Sequence, residues 1–478
     1  MTFTSFDFLI FFPLVVLIYN ILPREGVRRW FLLIASYFFY INMQPVYVIL
    51  LAIVTLSTYL FTRGISIAKT EKKKHSLEVW GIIVVLLPLF FFKYFSFIND
   101  SVEQFLHFIG LNASFSKITW ALPVGISFYT FMAIGYIVDV YNEEVDYEPN
   151  IANVGLFLSF FPLVLSGPIE RAGSMLPQIN KMGRSTPYDI TAGLKLMLWG
   201  YFMKLCVADR LGLYVDAVFG NIAHHNGTSL VLASVLYPFQ VYADLGGYSL
   251  IAIGVARCIG FNIRPNFNRP FFATSMSEFW RRWHMSLITW LTDYIYTPLS
   301  FALRKWKVWG IVVALMLTFL ISGVWHGAAL TFIVWGVVQG IYLSLEALLQ
   351  KKRIGVESKY NLNKKWWYTM VCCIFVFILF AFSQIFGRCS NVSEAITVIS
   401  KIFTAQGVLF KNMTVFFYAF PCLFMLLVKD FFDEYFPNSM KLFDSKSIVI
   451  RWTSYIAIVV VIMLFGVFEG GSFIYFQF

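Results

Sequence analysis

Residues 311–340 read IVVALMLTFLISGVWHGAALTFIVWGVVQG, two uncharged apolar runs with a single histidine, His326, between them. Segments of this length and composition belong in a bilayer. The rest of the chain agrees, because 59% of the 478 residues are hydrophobic and only 13% are charged, with a mean hydropathy of +0.72. Further apolar runs begin near Phe6, Trp30, Val46, Val79, Trp120, Ala152, Leu230, Trp309, Thr331, Tyr368, Val415 and Tyr455. The expected fold is therefore an all-α polytopic membrane protein with roughly ten to thirteen spanning or re-entrant helices. No long polar stretch interrupts them, so residues 1–478 are read as one integral membrane domain: N-terminal spans over 1–100, a core over 101–350 and C-terminal spans over 351–478.

Orientation follows from the loops. The first run has neither a basic segment before it nor a small-residue cleavage site after it, so it is expected to be a retained helix. Arg24, Arg28 and Arg29 follow that run, and Arg63, Lys69, Lys72, Lys73 and Lys74 follow the third. Basic loops face the cytoplasm, which places the N-terminus outside. The formal charge, 37 − 26 = +11, is what basic loops facing an anionic lipid surface produce, and no nucleic-acid partner is needed to explain it. Cys206, Cys258, Cys372, Cys373, Cys389 and Cys422 lack paired C-x-x-C spacing, so neither a disulfide framework nor a metal site is indicated. No internal repeat is evident, which disfavours the repeated halves of many transporters.

An ionisable side chain within a bilayer needs a partner or a task. Of six histidines, His75, His107, His224 and His225 fall in polar loops or surface segments, leaving His284 and His326. His284 follows the capping-box spacing Ser275-x-x-Glu278. On a helix continuing through 291, Trp280, Trp283, His284, Leu287, Ile288 and Leu291 share one face, with His284 its sole ionisable member. Arg281 and Arg282 then lie toward the helix start, where an anionic partner, either substrate or lipid phosphate, would be favoured. His326 sits between Gly323 and Gly327, spaced for close helix approach, and on a continuing helix it heads the apolar stripe Ala329, Leu330, Ile333, Val334 and Val337. A lone membrane histidine can simply be a hydrogen-bonded core residue. A pair can also ligate haem from both sides, relay protons in a proton-coupled transporter with acids such as Asp139 and Asp244, or serve as base and positioning group in acyl transfer. Both acids lie beside tyrosines, near expected helix ends, where a structural hydrogen bond is the simpler account.

Five segments in order narrow the choice: LPVGISFYTFMAIGYIVDVY (122–141), FFPLVLSGPIER (160–171), VYADLGGYSLIAIGVARCIGFNIRPNFNRPF (241–271), FWRRWHMSLITWLTDYIYTPL (279–299) and SGVWHGAALTFIVWGVVQG (322–340). Together they resemble the bacterial branch of the membrane-bound O-acyltransferase family. The resemblance implies a helical bundle with a central tunnel. In it His326 is the main catalytic residue and His284 its companion, while a cytosolic thioester donor and an acceptor hydroxyl on the outer side meet between them. The donor implied is acetyl-CoA, or a carrier protein's phosphopantetheine thioester, and no cofactor is held permanently. An extracytoplasmic esterase-like or acyl-relay protein is the implied partner, and the bacterial cytoplasmic membrane the location. The residues expected near substrate or donor are Arg281, Arg282, Trp283, Trp325, Ser286 and Asp244. Acceptors within the branch are an exported polysaccharide, peptidoglycan or, with D-alanyl in place of acetyl, teichoic acid. The run FWRRWHMSLITWL to IYTPL favours the first, although Thr292 and Ser300-Phe301 depart from the arginine and Gly-Gly usual in alginate-type members.

Overall fold

The computed structural model describes residues 1–111, 120–437, 439 and 441–468. Among these, nine helices are long and apolar enough to cross a membrane, and Phe6–Ile21 and Ile126–Tyr141 are shorter apolar helices. The chain is all-α, as its composition demands. Ile448–Phe465 illustrates why water is the wrong solvent: only 11% of its apolar window is buried, leaving Ile456, Val459, Val460, Met463 and Leu464 exposed. So large an apolar surface is stable only against lipid or another protein.

Two compact units are distinguished, Met1–Met197 with Ile251–Arg264, and Leu198–Leu250 with Pro265–Phe478. In the first, Ile126–Tyr141 is buried on nearly every side. The segment leading into it carries backbone groups that need partners away from water. Side chains supply them: Tyr47 Oη donates to the Ala121 carbonyl at 2.7 Å, Gln44 brackets Leu122 and Val124 at 3.2 and 2.8 Å, and Tyr40 Oη donates to the Val124 carbonyl at 3.0 Å. Gly125 then turns the chain into the helix with φ +76°, and a Cβ there would overlap the Val164 carbonyl oxygen. Both the left-handed backbone and the overlap penalise any side chain. Gly125→Ala is expected to cost about 1–3 kcal/mol or more, read as reduced accumulation and a lowered Tm.

In the second unit the helices Val308–His326 and Leu330–Tyr360 form an antiparallel hairpin around residues 327–329. Their contact is a glycine seam. A Cβ on Gly323 would strike the Phe332 carbonyl and one on Gly336 the Phe319 carbonyl, while Gly340 sits over Met316. The seam differs from the expected Gly323/Gly327 pair because the helix stops at His326. Gly327 is extended, and its role is to clear the Phe332 ring, which a Cβ would overlap. A similar approach joins Gly247, within the helix Gly227–Cys258, to Gly200, whose carbonyl oxygen would lie 2.8 Å from an added Cβ. Just beyond Gly200, a π-helical turn covers Phe202–Ala208. Such turns insert one residue into an α-helix and often mark sites with a task.

Candidate functional site

The segment 275–291 is two helices, not one. Ser275 Oγ accepts from the Glu278 amide at 3.1 Å, as the spacing predicts, but the Glu278 carboxylate reaches Thr274, accepting from its amide and hydroxyl at 2.8 Å each. Burial raises the pKa of Glu278, yet these bonds and Arg282 outweigh it and hold the carboxyl below its ordinary value. Met276–Arg282 ends at an extended Trp283, His284 adopts a left-handed backbone (φ 44°, ψ 51°), and Met285–Leu291 starts afresh. The apolar stripe expected on a continuous helix is therefore interrupted at its histidine.

What holds the break is Asn266, from the RPNF stretch. Its carbonyl accepts from the Met285 amide at 2.8 Å, and its Oδ1 accepts from the Ser286 amide and hydroxyl at 3.1 and 2.9 Å. Its Nδ2 donates to Ser249 Oγ at 3.1 Å, and the neighbouring Asn268 amide donates to the Arg282 carbonyl at 2.8 Å. These bonds replace helical ones that the break forfeits, and they offset the cost of a non-glycine residue at positive φ, about 1–3 kcal/mol. Ser286 is thereby committed to Asn266. The sequence signal for Asn266 was present, an asparagine following proline between two helical patterns, though it pointed to a turn rather than to His284.

His284 is buried, 3% exposed. His326 closes its helix and is partly exposed. Trp325 connects the two. Its ring centroid lies 4.8 Å from the His326 ring and 6.2 Å from the His284 ring, edge-on to each. Trp335 meets His326 edge-on at 4.9 Å, Phe332 lies parallel to it at 6.5 Å, and Phe267 flanks His284 at 6.1 Å. Trp335 packs in turn on Trp280, whose Nε1 donates to Gln339 Oε1 at 3.3 Å, and Gln339 Nε2 donates to Ser383 Oγ at 2.7 Å. Gln339 is fully buried. An amide in an otherwise apolar run was the sequence clue to this second support, and it was missed.

The remaining expected residues have other company. Trp283 stacks on Phe279 at 5.4 Å and meets Phe380 at 4.8 Å. Arg281 and Arg282 occupy the last turn of their helix rather than its start, where the dipole favours cations. Arg282 donates to Glu278 at 2.7 Å and to Glu434 at 2.9 Å, and Glu434 also pairs with Arg269 at 2.9 Å. Arg281 is exposed. Asp244 lies well inside its helix rather than near an end, and pairs with Lys204 at 2.6 Å. Tyr242 donates its hydroxyl to Asp430 at 2.9 Å instead of to the nearer acid.

Two imidazoles on one indole, one enclosed and the other partly open, suit proton transfer at a hydroxyl. The left-handed turn makes His284 testable. Asparagine tolerates that backbone, so His284→Asn is expected to accumulate normally yet lose about 10²-fold in acyl transfer. His284→Val, which does not tolerate it, should instead lose about 1–3 kcal/mol of stability. Thermal melts and labelled-acyl assays on both variants separate the two effects.

Comparison with known proteins places this chain in a family. Residues 137–390, more than half of the chain, match MBOAT, the membrane-bound O-acyltransferase family. Among similar proteins is a probable alginate O-acetylase, AlgI, of Pseudomonas aeruginosa, 33% identical over 83% of this chain and 73% of the relative. Peptidoglycan O-acetyltransferase of Helicobacter pylori is 29% identical over 83% and 79%. Teichoic acid D-alanyltransferase of Bacillus subtilis is 24% identical over 71% and 85%. The matched span contains His284, His326 and the aromatic and amide side chains described around them, and on that extent of agreement this all-α, multi-pass chain belongs to the membrane-bound O-acyltransferase family.

Proposed function

We propose that this membrane O-acyltransferase moves acetyl groups from acetyl-CoA in the cytosol toward hydroxyls of an exported cell-envelope polysaccharide, with His326 as general base and His284 as its companion. The observation that carries the reading is the placement of both imidazoles on Trp325, with His326 the more open of the two. A hydroxyl is a weak nucleophile near neutral pH. An imidazole that removes its proton as it attacks the thioester carbonyl contributes about 10²–10⁴-fold. The oxygen then carries the acyl group, the thiolate leaves, and the imidazolium returns the proton to sulfur. In this reading acyl groups traverse a tunnel in the bundle, the N-terminus lies outside the bacterial cytoplasmic membrane, and an extracytoplasmic esterase-like or relay protein completes delivery. The acetylating relatives, at higher identity than the D-alanylating one, support acetyl over D-alanyl and polysaccharide as acceptor class.

The test uses membranes containing the protein and labelled acetyl-CoA. Label is expected in the exported polymer, with none in its absence. Labelling from a D-alanyl carrier alone would replace the donor, a Soret band in the purified protein would support haem ligation, and gradient-driven uptake without an acyl product would support transport.

A further inference from the structure

In the unit comprising Met1–Met197 and Ile251–Arg264, several basic segments are drawn to one end. Lys74 pairs with Glu143 at 2.9 Å, and further along that loop Glu148 accepts from Asn180 Nδ2 at 2.8 Å, next to Lys181. Arg28 donates from Nη1 to the Met182 carbonyl at 3.1 Å and from Nε to the Leu22 carbonyl at 3.0 Å. The loops after the first and third apolar runs thus share a face with residues 181–184, and basic loops belong to the cytoplasm.

A cavity of about 300 Å³ opens on that face, lined from this unit alone, its wall including Tyr19, Gln178, Lys181, Arg184, Asp189 and Phe261. Two of its polar side chains are already committed. Asp189 takes Arg257 at 2.8 Å and the Thr186 hydroxyl at 2.6 Å, and Gln178 meets the Asn262 backbone with both ends of its amide, at 3.2 and 2.8 Å. Its two cations are not. Lys181 and Arg184 are exposed, and among the described residues neither makes a side-chain hydrogen bond or an ion pair. A third cation stands behind the wall: Arg28 is 6% exposed, bonds to neutral carbonyls, and has its guanidinium carbon 5.8 Å from the Tyr19 ring centroid. The other acid acting on Tyr19, Glu25, is exposed and therefore screened by water, whereas the buried guanidinium is screened little. The cavity is left with an excess of positive charge.

Its loop is held in shape before any ligand arrives. Tyr19 Oη donates to the Gly183 carbonyl at 2.8 Å, Asn20 Oδ1 accepts from the Ser185 amide at 2.8 Å, and Arg28 fixes Met182 between them. A cradle fixed in advance spends little ordering entropy on binding. Arginine and lysine converging on one cavity match phosphate oxygens in particular.

The helix that supplies Tyr19 and Asn20 also says what the phosphate is attached to. On Phe6–Ile21, the residues Leu14, Leu17, Ile18 and Ile21 are all exposed and recur at the spacing of one helical face. In a membrane protein such a stripe faces acyl chains, and this one runs out in the same turn that carries the two residues holding the loop. We propose that the cavity holds the phosphate of an anionic phospholipid of the cytosolic leaflet, with Lys181 and Arg184 on its oxygens and its acyl chains along that stripe. A soluble phosphate ester carries the same charge without the chains, so the experiment has an arm for each source.

The full chain, in detergent micelles, is titrated with phosphatidylglycerol, with phosphatidylcholine and with glycerol 3-phosphate, and bound molecules are counted by native mass spectrometry alongside the melting temperature. The wild type is expected to retain phosphatidylglycerol in preference to phosphatidylcholine and to melt higher with it. Lys181→Gln/Arg184→Gln should weaken phosphatidylglycerol binding about tenfold or more and lose the rise in melting temperature. The charge-keeping exchange Lys181→Arg/Arg184→Lys should retain both. Lys72→Gln/Lys73→Gln removes two exposed cations from another basic segment of the same unit and should bind as the wild type does. Equal binding by the wild type and the Lys181/Arg184 double glutamine variant overturns the proposal. So does an equal loss in the Lys72/Lys73 variant, which would assign the preference to the basic surface as a whole, and so does glycerol 3-phosphate binding as tightly as phosphatidylglycerol, which would assign the cavity to a soluble phosphate ester.

Discussion

Replacing His326 by alanine is expected to abolish detectable polymer acetylation, a loss of about 10²–10⁴-fold, in a protein that still inserts and accumulates. Both halves of the expectation come from where the side chain sits. His326 is the last residue of its helix and partly exposed, so no helical hydrogen bond depends on its side chain and its loss opens no sealed cavity. Trp325, Trp335 and Phe332 stay in contact with the surrounding core without it, and the Gly323/Gly336 seam that joins the two helices is untouched. A purely structural histidine would show the reverse pattern, with reduced accumulation and normal activity per molecule. Wild-type acetylation by a normally inserted His326→Ala protein would remove the base from the mechanism. A milder variant sharpens the reading: His326→Gln keeps polarity and similar length but cannot accept and return a proton at neutral pH, so it should be as inactive as alanine.

Much of this was legible in the sequence, and the failures have a common cause. Spanning length, basic loops and two isolated histidines are properties of composition and position, and they survive folding. Face assignments did not survive, because each assumed that a helix continues. At 283–284 the backbone turns left-handed under the hold of Asn266, and at 327–329 the chain reverses so that Gly323 meets Gly336 rather than acting with Gly327. Helical periodicity carries no signal for a break held from elsewhere in the chain. Pairings of charges were equally hidden. Glu434 lies 152 positions from Arg282 yet bonds to it, and nothing local announces that. Asp244 was noticed because it is an acid in an apolar run, but its partner Lys204 sits 40 positions earlier, in a π-helical turn that no sequence rule locates.

That partnership yields the largest expected change in stability. Lys204 Nζ lies 2.8 Å from Asp209 and 2.6 Å from Asp244, with the three side chains 4%, 8% and 6% exposed. The close approach of Gly247 to Gly200 brings the two helices near enough for one amine to serve both acids. Lys204→Met keeps the volume and removes the charge, leaving two carboxylates facing each other out of water. Breaking a buried ion pair from one side costs about 3–5 kcal/mol, a large part of the 5–15 kcal/mol that typically separates folded from unfolded protein. The single variant should therefore fail to accumulate. The triple variant Lys204→Met/Asp209→Asn/Asp244→Asn carries no stranded charge, and replacing a whole buried network is often close to neutral. Its recovery in abundance identifies the triad as a clamp between helices. Its activity then decides whether the triad does more: acyl transfer restored along with abundance leaves the chemistry to the histidines, whereas an abundant but inactive triple variant assigns these charges a part in moving protons or substrate through the membrane.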